Sequence, residues 1–200
     1  MTYFTVNGDI PSIRSSSQIS TLGPSGTSSE HAARYFLKSF GTKSFGTKSF
    51  GTDNCRILLY PSYRDAARSV SVGESEYLVV ANAFHGINDF YMDPVLSVHS
   101  VFLMLTPQYG LAKRPGDFLR SQFEVISHPA PVPLIAELMP PRHKCAGIVA
   151  ANSTAAAASA VENGDYDVAL TTHSAAEKHN LVFFSNQRPI EMVWTVFTHG

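Results

Sequence analysis

Thr21-Leu-Gly-Pro-Ser-Gly-Thr-Ser-Ser-Glu-His-Ala-Ala-Arg-Tyr-Phe36 holds a turn, a run of hydroxyls and a helix start in one stretch. Gly23, Pro24 and Gly26 interrupt any regular element. Thr27 and Glu30 have the spacing of a capping box, in which side chains satisfy the first free amides of a helix. Ala33, Phe36, Leu37 and Phe40 then recur at helical spacing as one apolar stripe. The stretch predicts a short strand over Ile19–Leu22, a loop of small residues, and a helix from Ser28 to Phe40. Amides and hydroxyls at such a helix start can grip an anion. An ordinary capped helix carries the same signature.

Outward from this stretch, the chain reads as strands alternating with helices. Strands are expected at Arg56–Tyr60, Tyr77–Val80, Val98–Leu105, Gln108–Arg114, Phe123–Ile126, Tyr166–Leu170, Leu181–Phe184 and Met192–Phe197. Helices are expected at Tyr63–Val72 behind Ser62, near Pro133–Met139, and at the alanine-rich segment from Ser153 to Asn163. A last helix is expected from the Ser174/Glu177 box. Residues 1–18 read as a flexible arm. Lys-Ser-Phe-Gly-Thr occurs three times in tandem over residues 38–52. A five-residue period fits neither a helix nor a strand face, and its glycines oppose helix. It reads as an expanded surface loop. Alternation of this kind predicts an α/β fold with largely parallel pairing. Four strand-to-helix turns carry hydroxyls: Thr27-Ser28, Ser62, Ser153-Thr154 and Thr171-Thr172. In open α/β sheets, ligands sit beyond the carboxyl ends of the strands. Such turns suit a small polyanion such as a dicarboxylate; the plainer alternative is that each hydroxyl only caps its own helix.

Composition sets the class. The chain has 200 residues, 44% hydrophobic and 16% charged, with a formal net charge of -1. That suits a soluble domain or two lobes around a real core, with no broad attraction to nucleic acid or anionic membrane. No apolar run approaches the roughly 18 residues of a membrane helix. Arg14 is the one early basic residue and no apolar segment accompanies it, so no signal peptide is expected. Cys55 and Cys145 form neither a zinc pattern nor a disulfide framework. A cytoplasmic protein is expected. His31, His99, His143, His173, His179 and His199 show no metal spacing.

Five motifs in order resemble the catalytic domain of the prephenate dehydratases. They are Leu22-Gly-Pro-Ser-Gly-Thr-Ser-Ser-Glu-His-Ala-Ala33, Gly73-Glu-Ser-Glu-Tyr-Leu-Val-Val80, Val125-Ile-Ser-His-Pro129, Ser153-Thr-Ala-Ala-Ala-Ala158 and Ala175-Ala-Glu-Lys-His-Asn-Leu181. The resemblance implies a two-lobed fold of the periplasmic-binding-protein type II class, with prephenate in a central cleft. On that footing lobe 1 is expected at 19–105 plus 183–200, and lobe 2 at 106–182. The resemblance also suggests a homodimer. Two segments depart from the dehydratase pattern. Ala81-Asn-Ala-Phe-His-Gly86 stands where dehydratases carry Pro-Ile-Glu-Asn-Ser. Met192-Val-Trp-Thr-Val-Phe-Thr198 stands where they carry Thr-Arg-Phe, with either Trp194 or Thr195 at the threonine place and no arginine after it. The regulatory domain that usually follows is absent from this sequence. These departures, with His85-Gly-Ile87, Asp89-Phe-Tyr-Met-Asp-Pro94 and Tyr109-Gly-Leu-Ala-Lys-Arg-Pro115, are similar to the non-aromatising prephenate decarboxylases of bacilysin- and aeruginosin-type pathways.

That resemblance implies decarboxylation of prephenate with the ring hydroxyl kept, giving a dihydro-4-hydroxyphenylpyruvate for natural-product amino-acid biosynthesis. Dehydration needs a proton at the departing hydroxyl; a decarboxylase must withhold it and protonate a ring carbon. The electron pair left behind can spread into the ring alkene, so no cofactor is expected. Thr27, Ser28, Ser153 and Thr154 are the expected carboxylate and carbonyl contacts, with Ser127, Thr171 and Thr172 closing the pocket. Arg114 is expected to clamp a carboxylate, because guanidinium matches its geometry. His128 and His85 are the candidate proton donors, since imidazole titrates near neutrality. Asn82 is expected to touch substrate, and Trp194 to dry the surroundings of the hydroxyl. The alternatives are a dehydratase making phenylpyruvate and a non-catalytic module that binds a small carboxylate.

Overall fold

The computed structural model describes residues 3–5, 16–40 and 55–200. The elements run β1 (Tyr3–Thr5), β2 (Gln18–Leu22), α1 (Ser28–Phe40), β3 (Arg56–Tyr60), α2 (Tyr63–Ser71), β4 (Tyr77–Ala81), α3 (Ile87–Tyr91), β5 (Leu96–Leu105), β6 (Tyr109–Lys113), β7 (Gln122–Ser127), α4 (Leu134–Leu138), β8 (Lys144–Ala150), α5 (Thr154–Glu162), β9 (Val168–Thr172), α6 (His173–Lys178), β10 (Val182–Phe183) and β11 (Glu191–His199). The tandem repeat lies outside the described residues except for its first three, which finish α1. Two compact units result. Unit 1 is Met1–Gly23, Ser29–Leu105 and Glu191–Gly200; unit 2 is Pro24–Ser28 and Thr106–Ile190.

Unit 1 carries a six-stranded sheet in the order β1-β5-β11-β4-β2-β3. β2 pairs in parallel with β3 and β4, whereas β11 is antiparallel to both β4 and β5. Leu78, Val79 and Val80 of β4 are wholly buried, as expected of a strand covered on both faces. One face meets Ala32, Ala33 and Phe36 of α1, with Phe102 and Trp194; the other meets Tyr63, Ala66 and Val70 of α2, with Phe90 and Phe197. Burying Phe36 alone contributes about 1.5–3 kcal/mol. Ser20 and Thr21 interrupt the apolar run of β2 but are satisfied: Ser20 shares its one hydrogen between the Ala66 and Tyr77 carbonyls, and Thr21 donates to Val79. Ser62 caps α2, accepting the Asp65 amide at 3.1 Å.

Unit 2 carries a five-stranded sheet in the order β10-β6-β9-β7-β8. β7, β8 and β9 are parallel, with Ser127 in register with Ala150 and Leu170. β6 and β10 complete the sheet in antiparallel fashion. β9 is buried throughout. The small side chains of Ala155, Ala157 and Ala158 let α5 pack closely on the sheet, and Gly164, at φ +86°, ends the segment in the left-handed conformation that glycine tolerates.

Several expectations need correction. Parallel pairing is confined to the β2–β3–β4 and β7–β8–β9 groups; β1, β5, β6, β10 and β11 pair antiparallel. Tyr3–Thr5 is not a loose arm but an edge strand on β5, and Gln18 belongs to β2. The boundary near the C-terminus moves from 183 to Glu191, because Phe183 pairs with Ala112 and Arg188 exchanges backbone bonds with Tyr109. Residues 24–28 group with unit 2, where the Gly26 carbonyl accepts from Thr172 and Ser174. Thr172, not Ser174, caps α6.

Candidate functional site

In unit 2 the parallel register brings the carboxyl ends of β7, β8 and β9 to one edge of the sheet. Ser127-His128, Ala151–Thr154 and Thr171-Thr172 follow those ends. Ser153 caps α5 by accepting the Ala156 amide at 2.9 Å. The amides of Thr154 and Ala155 precede the first intrahelical donor and have no acceptor within the helix. The Thr154 hydroxyl has no partner among the described residues. Beneath it, Thr171 donates to the Thr154 carbonyl at 2.7 Å, which fixes the helix start to β9. Thr172 donates to the Gly26 carbonyl and so ties the Pro24–Ser28 loop to the same edge. Lys178 donates to Ser25 at 3.2 Å. The α5 start offers unsatisfied amides and hydroxyls, a setting that favours a carboxylate.

Ser28 adds a feature the sequence did not signal. Its hydroxyl lies 2.9 Å from the Tyr109 phenol, and both are buried. Burial pushes the Tyr109 phenol upward from its ordinary value, with the Ser28 hydrogen bond opposing in part. Tyr109 therefore stays neutral, a donor or acceptor that orients Ser28 rather than an anion. Thr27, just before α1, is buried in the same loop. Ser127 turns inward and donates to the His128 carbonyl. His128 is half-buried, and its Nδ1 accepts the Ala130 amide at 3.2 Å, which places the neutral ring's proton on Nε2.

Arg114 does something other than expected. Its guanidinium donates to the Val161 and Tyr166 carbonyls and pairs with Asp117 at 2.7 Å and Asp167 at 3.5 Å. These contacts hold the end of α5 and the turn into β9. Both terminal nitrogens of the guanidinium are thus engaged within unit 2, which gives Arg114 a fold-holding role in place of the free carboxylate clamp that was expected.

In unit 1 the carboxyl end of β4 leads into Asn82, whose amide nitrogen donates to Val193 of β11 at 3.0 Å. Thr195, fully buried on β11, donates to Asn82 Oδ1 at 2.9 Å and lies 2.9 Å from the Tyr91 phenol. Tyr63 links Ser29, at 2.7 Å, to the Ala81 amide. Thr195 was one of the two residues the sequence offered for the dehydratase threonine place, whereas no role was read for Tyr63 or Tyr91; each acts through a partner far along the chain. His85 is exposed, its ring 4.9 Å from Phe84, with no acid beside it among the described contacts. Trp194 also needs correction. It is 1% exposed, sealed among Ile19, Ala32, Ala33, Phe36, Phe102 and Met104, so it fills the core rather than lining a ligand surface. No group of three or more metal-ligating side chains occurs among the described residues, and no described helix is long and apolar enough to cross a membrane.

Comparison with known proteins follows the same lines. The family model for prephenate dehydratase matches residues 19–191. The chain is 36% identical over 186 residues to the prephenate decarboxylase of Bacillus subtilis (strain 168), covering 91% of this chain and 86% of that protein. Among solved structures it resembles the prephenate dehydratase of Arthrobacter aurescens in complex with L-Phe, with a TM-score of 0.65 and 17% identity, over 92% of this chain. It spans 60% of the length of that dehydratase. A periplasmic substrate-binding protein of an ABC transporter from Coxiella burnetii shares the fold at a TM-score of 0.52 and 13% identity.

Proposed function

The chain belongs to the prephenate dehydratase family, and on that footing we propose that it decarboxylates prephenate without aromatising the ring. The observation that carries this reading lies at β11. Dehydratases have a Thr-Arg-Phe where this chain has Met192–Thr198. Here Trp194 is shut in the core and the Thr195 hydroxyl hydrogen is spent on Asn82. Neither is free to protonate a departing hydroxyl. The name borne by the Bacillus subtilis relative agrees with this reading.

In the proposed reaction the ring carboxylate leaves as carbon dioxide. The electron pair of the broken carbon–carbon bond moves into the neighbouring ring alkene and emerges at its far carbon, which takes one proton. The hydroxyl stays. Ser153, Thr154 and the α5 amides hold the pyruvyl carboxylate or its ketone, with Thr171 and Thr172 fixing the helix start and the Pro24–Ser28 loop, Thr27 and Ser28 completing the set, and Ser127 shaping the His128 turn from within. Orientation and exchange of water for fixed dipoles supply the acceleration. His128, through Nε2, is the preferred proton source; His85 is the second candidate. The reading extends to a cytoplasmic homodimer serving natural-product amino-acid biosynthesis.

Proton NMR of prephenate incubated with the protein at mildly alkaline pH tests the reading. Ring vinyl signals should change while the proton on the hydroxyl-bearing carbon persists. Aromatic phenylpyruvate signals would make the chain a dehydratase. Unchanged prephenate, beside measurable binding, would make it a carboxylate-binding module.

A further inference from the structure

Thr195, Asn82 and Tyr91 close a small ring of hydrogen bonds inside unit 1. Thr195 Oγ1 donates to Asn82 Oδ1 at 2.9 Å. The Tyr91 hydroxyl is 2.9 Å from the same Oγ1. Asn82 Nδ2 reaches the Tyr91 oxygen at a long 3.4 Å. The protons can be counted. A threonine hydroxyl has one hydrogen, and here it goes to Asn82. Thr195 must then accept from Tyr91, whose only hydrogen is thereby used. Both hydroxyls are spent inside the ring. What remains available is the amide of Asn82, an exposed side chain whose second N–H has no partner in the ring. Its backbone is pinned to Val193 and its side-chain carbonyl is pinned to Thr195, so this N–H is held in one orientation rather than loose.

An amide N–H is an unusual tool for this chemistry. It can hold an alcohol oxygen, but it is far too weak an acid to give that oxygen a proton. A hydroxyl or imidazolium in the same place would bind the alcohol and also help it leave. We propose that Thr195 and Tyr91 are positioning residues that present the Asn82 amide to the ring hydroxyl of the substrate, so that the alcohol is gripped by a donor unable to release it. The inference rests on the decarboxylase reading and names the group that deals with the retained oxygen.

Steady-state kinetics with prephenate, scored by carbon dioxide release and by NMR of the product, test it. Thr195→Val keeps shape and removes the hydroxyl; it should lower kcat/KM about tenfold. Tyr91→Phe, at a side chain that is 40% exposed and so tolerant of change, should lower it by a similar factor. Thr195→Ser should restore near-parental values, which a purely steric role of Thr195 would not require. Asn82→Ala should cost at least as much as either, and Thr195→Val in the Asn82→Ala background should cost nothing more, because the two act through one group. Additive losses in that double variant, or parental activity in both Thr195→Val and Tyr91→Phe, would overturn the proposal. If the parent itself yields no hydroxyl-bearing product, the decarboxylase reading fails first; if the parent does and the variants match it, only this inference fails.

Discussion

Replacing Trp194 by phenylalanine should leave the protein as stable as before or make it more so, against the usual rule for a buried tryptophan. The indole Nε1–H is buried with no hydrogen-bond partner. A donor stripped of water and left unpaired costs about 1–3 kcal/mol. Phenylalanine removes that donor and keeps an aromatic ring against Phe36 and Phe102. The smaller ring leaves a void, whose cost for so limited a loss of volume is on the order of 1 kcal/mol. The two effects oppose each other, and the net falls between about zero and 2 kcal/mol of stabilisation. Trp194→Ala relieves the same orphan but loses the whole ring, and should cost about 3–5 kcal/mol. Thermal unfolding separates these outcomes, since 1 kcal/mol moves the midpoint by about 2–4 °C in a chain of this size. A drop of more than about 4 °C in Trp194→Phe, equivalent to at least 1 kcal/mol lost, would show that the indole N–H makes a bond of value, and the account of Trp194 as an apolar filler would fall.

Two other substitutions probe the fold. Arg114→Ala should leave the KM for prephenate unchanged and lower stability by about 2 kcal/mol, because the Val161 and Tyr166 carbonyls lose charged donors whose side chain is only 28% exposed; a tenfold rise in KM with an unchanged melting midpoint would return Arg114 to the ligand. Burial of His99 lowers its pKa from the ordinary 6.5, where its ring meets Tyr77 and Phe36. The folded chain thus binds a proton at His99 less readily than the unfolded one, so this contribution is complete above pH 6.5 and is lost as pH falls through the lowered value. His99→Gln should therefore show a shallower loss of stability on acidification below pH 6.5, and identical acid limbs in urea titrations would refute the assignment.

What the sequence disclosed was what local spacing can encode. Ser62 and Ser153 each accept an amide three residues on, so their caps could be read from adjacency. The buried β-rich runs of β4 and β9 announce themselves for the same reason. β8 was missed: Gly147 interrupts its middle, only Ile148 and Val149 are β-branched, and its burial alternates between exposed and half-buried, so it lacks the long β-rich run of the other strands. α3 is five residues long, too short for a periodic stripe. The side chains of the candidate site fared in the same way. Ser153 and Thr154 stand at a legible helix start, while the partners of Ser28 and Thr195 lie 81 and 113 residues away. Arg114 shows the converse. A guanidinium beside a helix end can serve a ligand or the fold, and the choice depends on carbonyls 47 and 52 residues further on.

The same separation bears on how one fold can run two chemistries. The helix-start donors proposed to recognise a carboxylate are local features, set by a serine or threonine and the turn it caps, and they do not depend on which bond breaks. The fate of the hydroxyl depends instead on whether some hydrogen near it is free to move. In this chain Trp194 occupies the core and Thr195 gives its hydrogen to Asn82, so two adjacent residues of one strand remove two possible acids by different means. Strand alternation puts those side chains on opposite faces, so in the proposed reading one core-filling side chain and one hydrogen bond act on the two sides of the same strand.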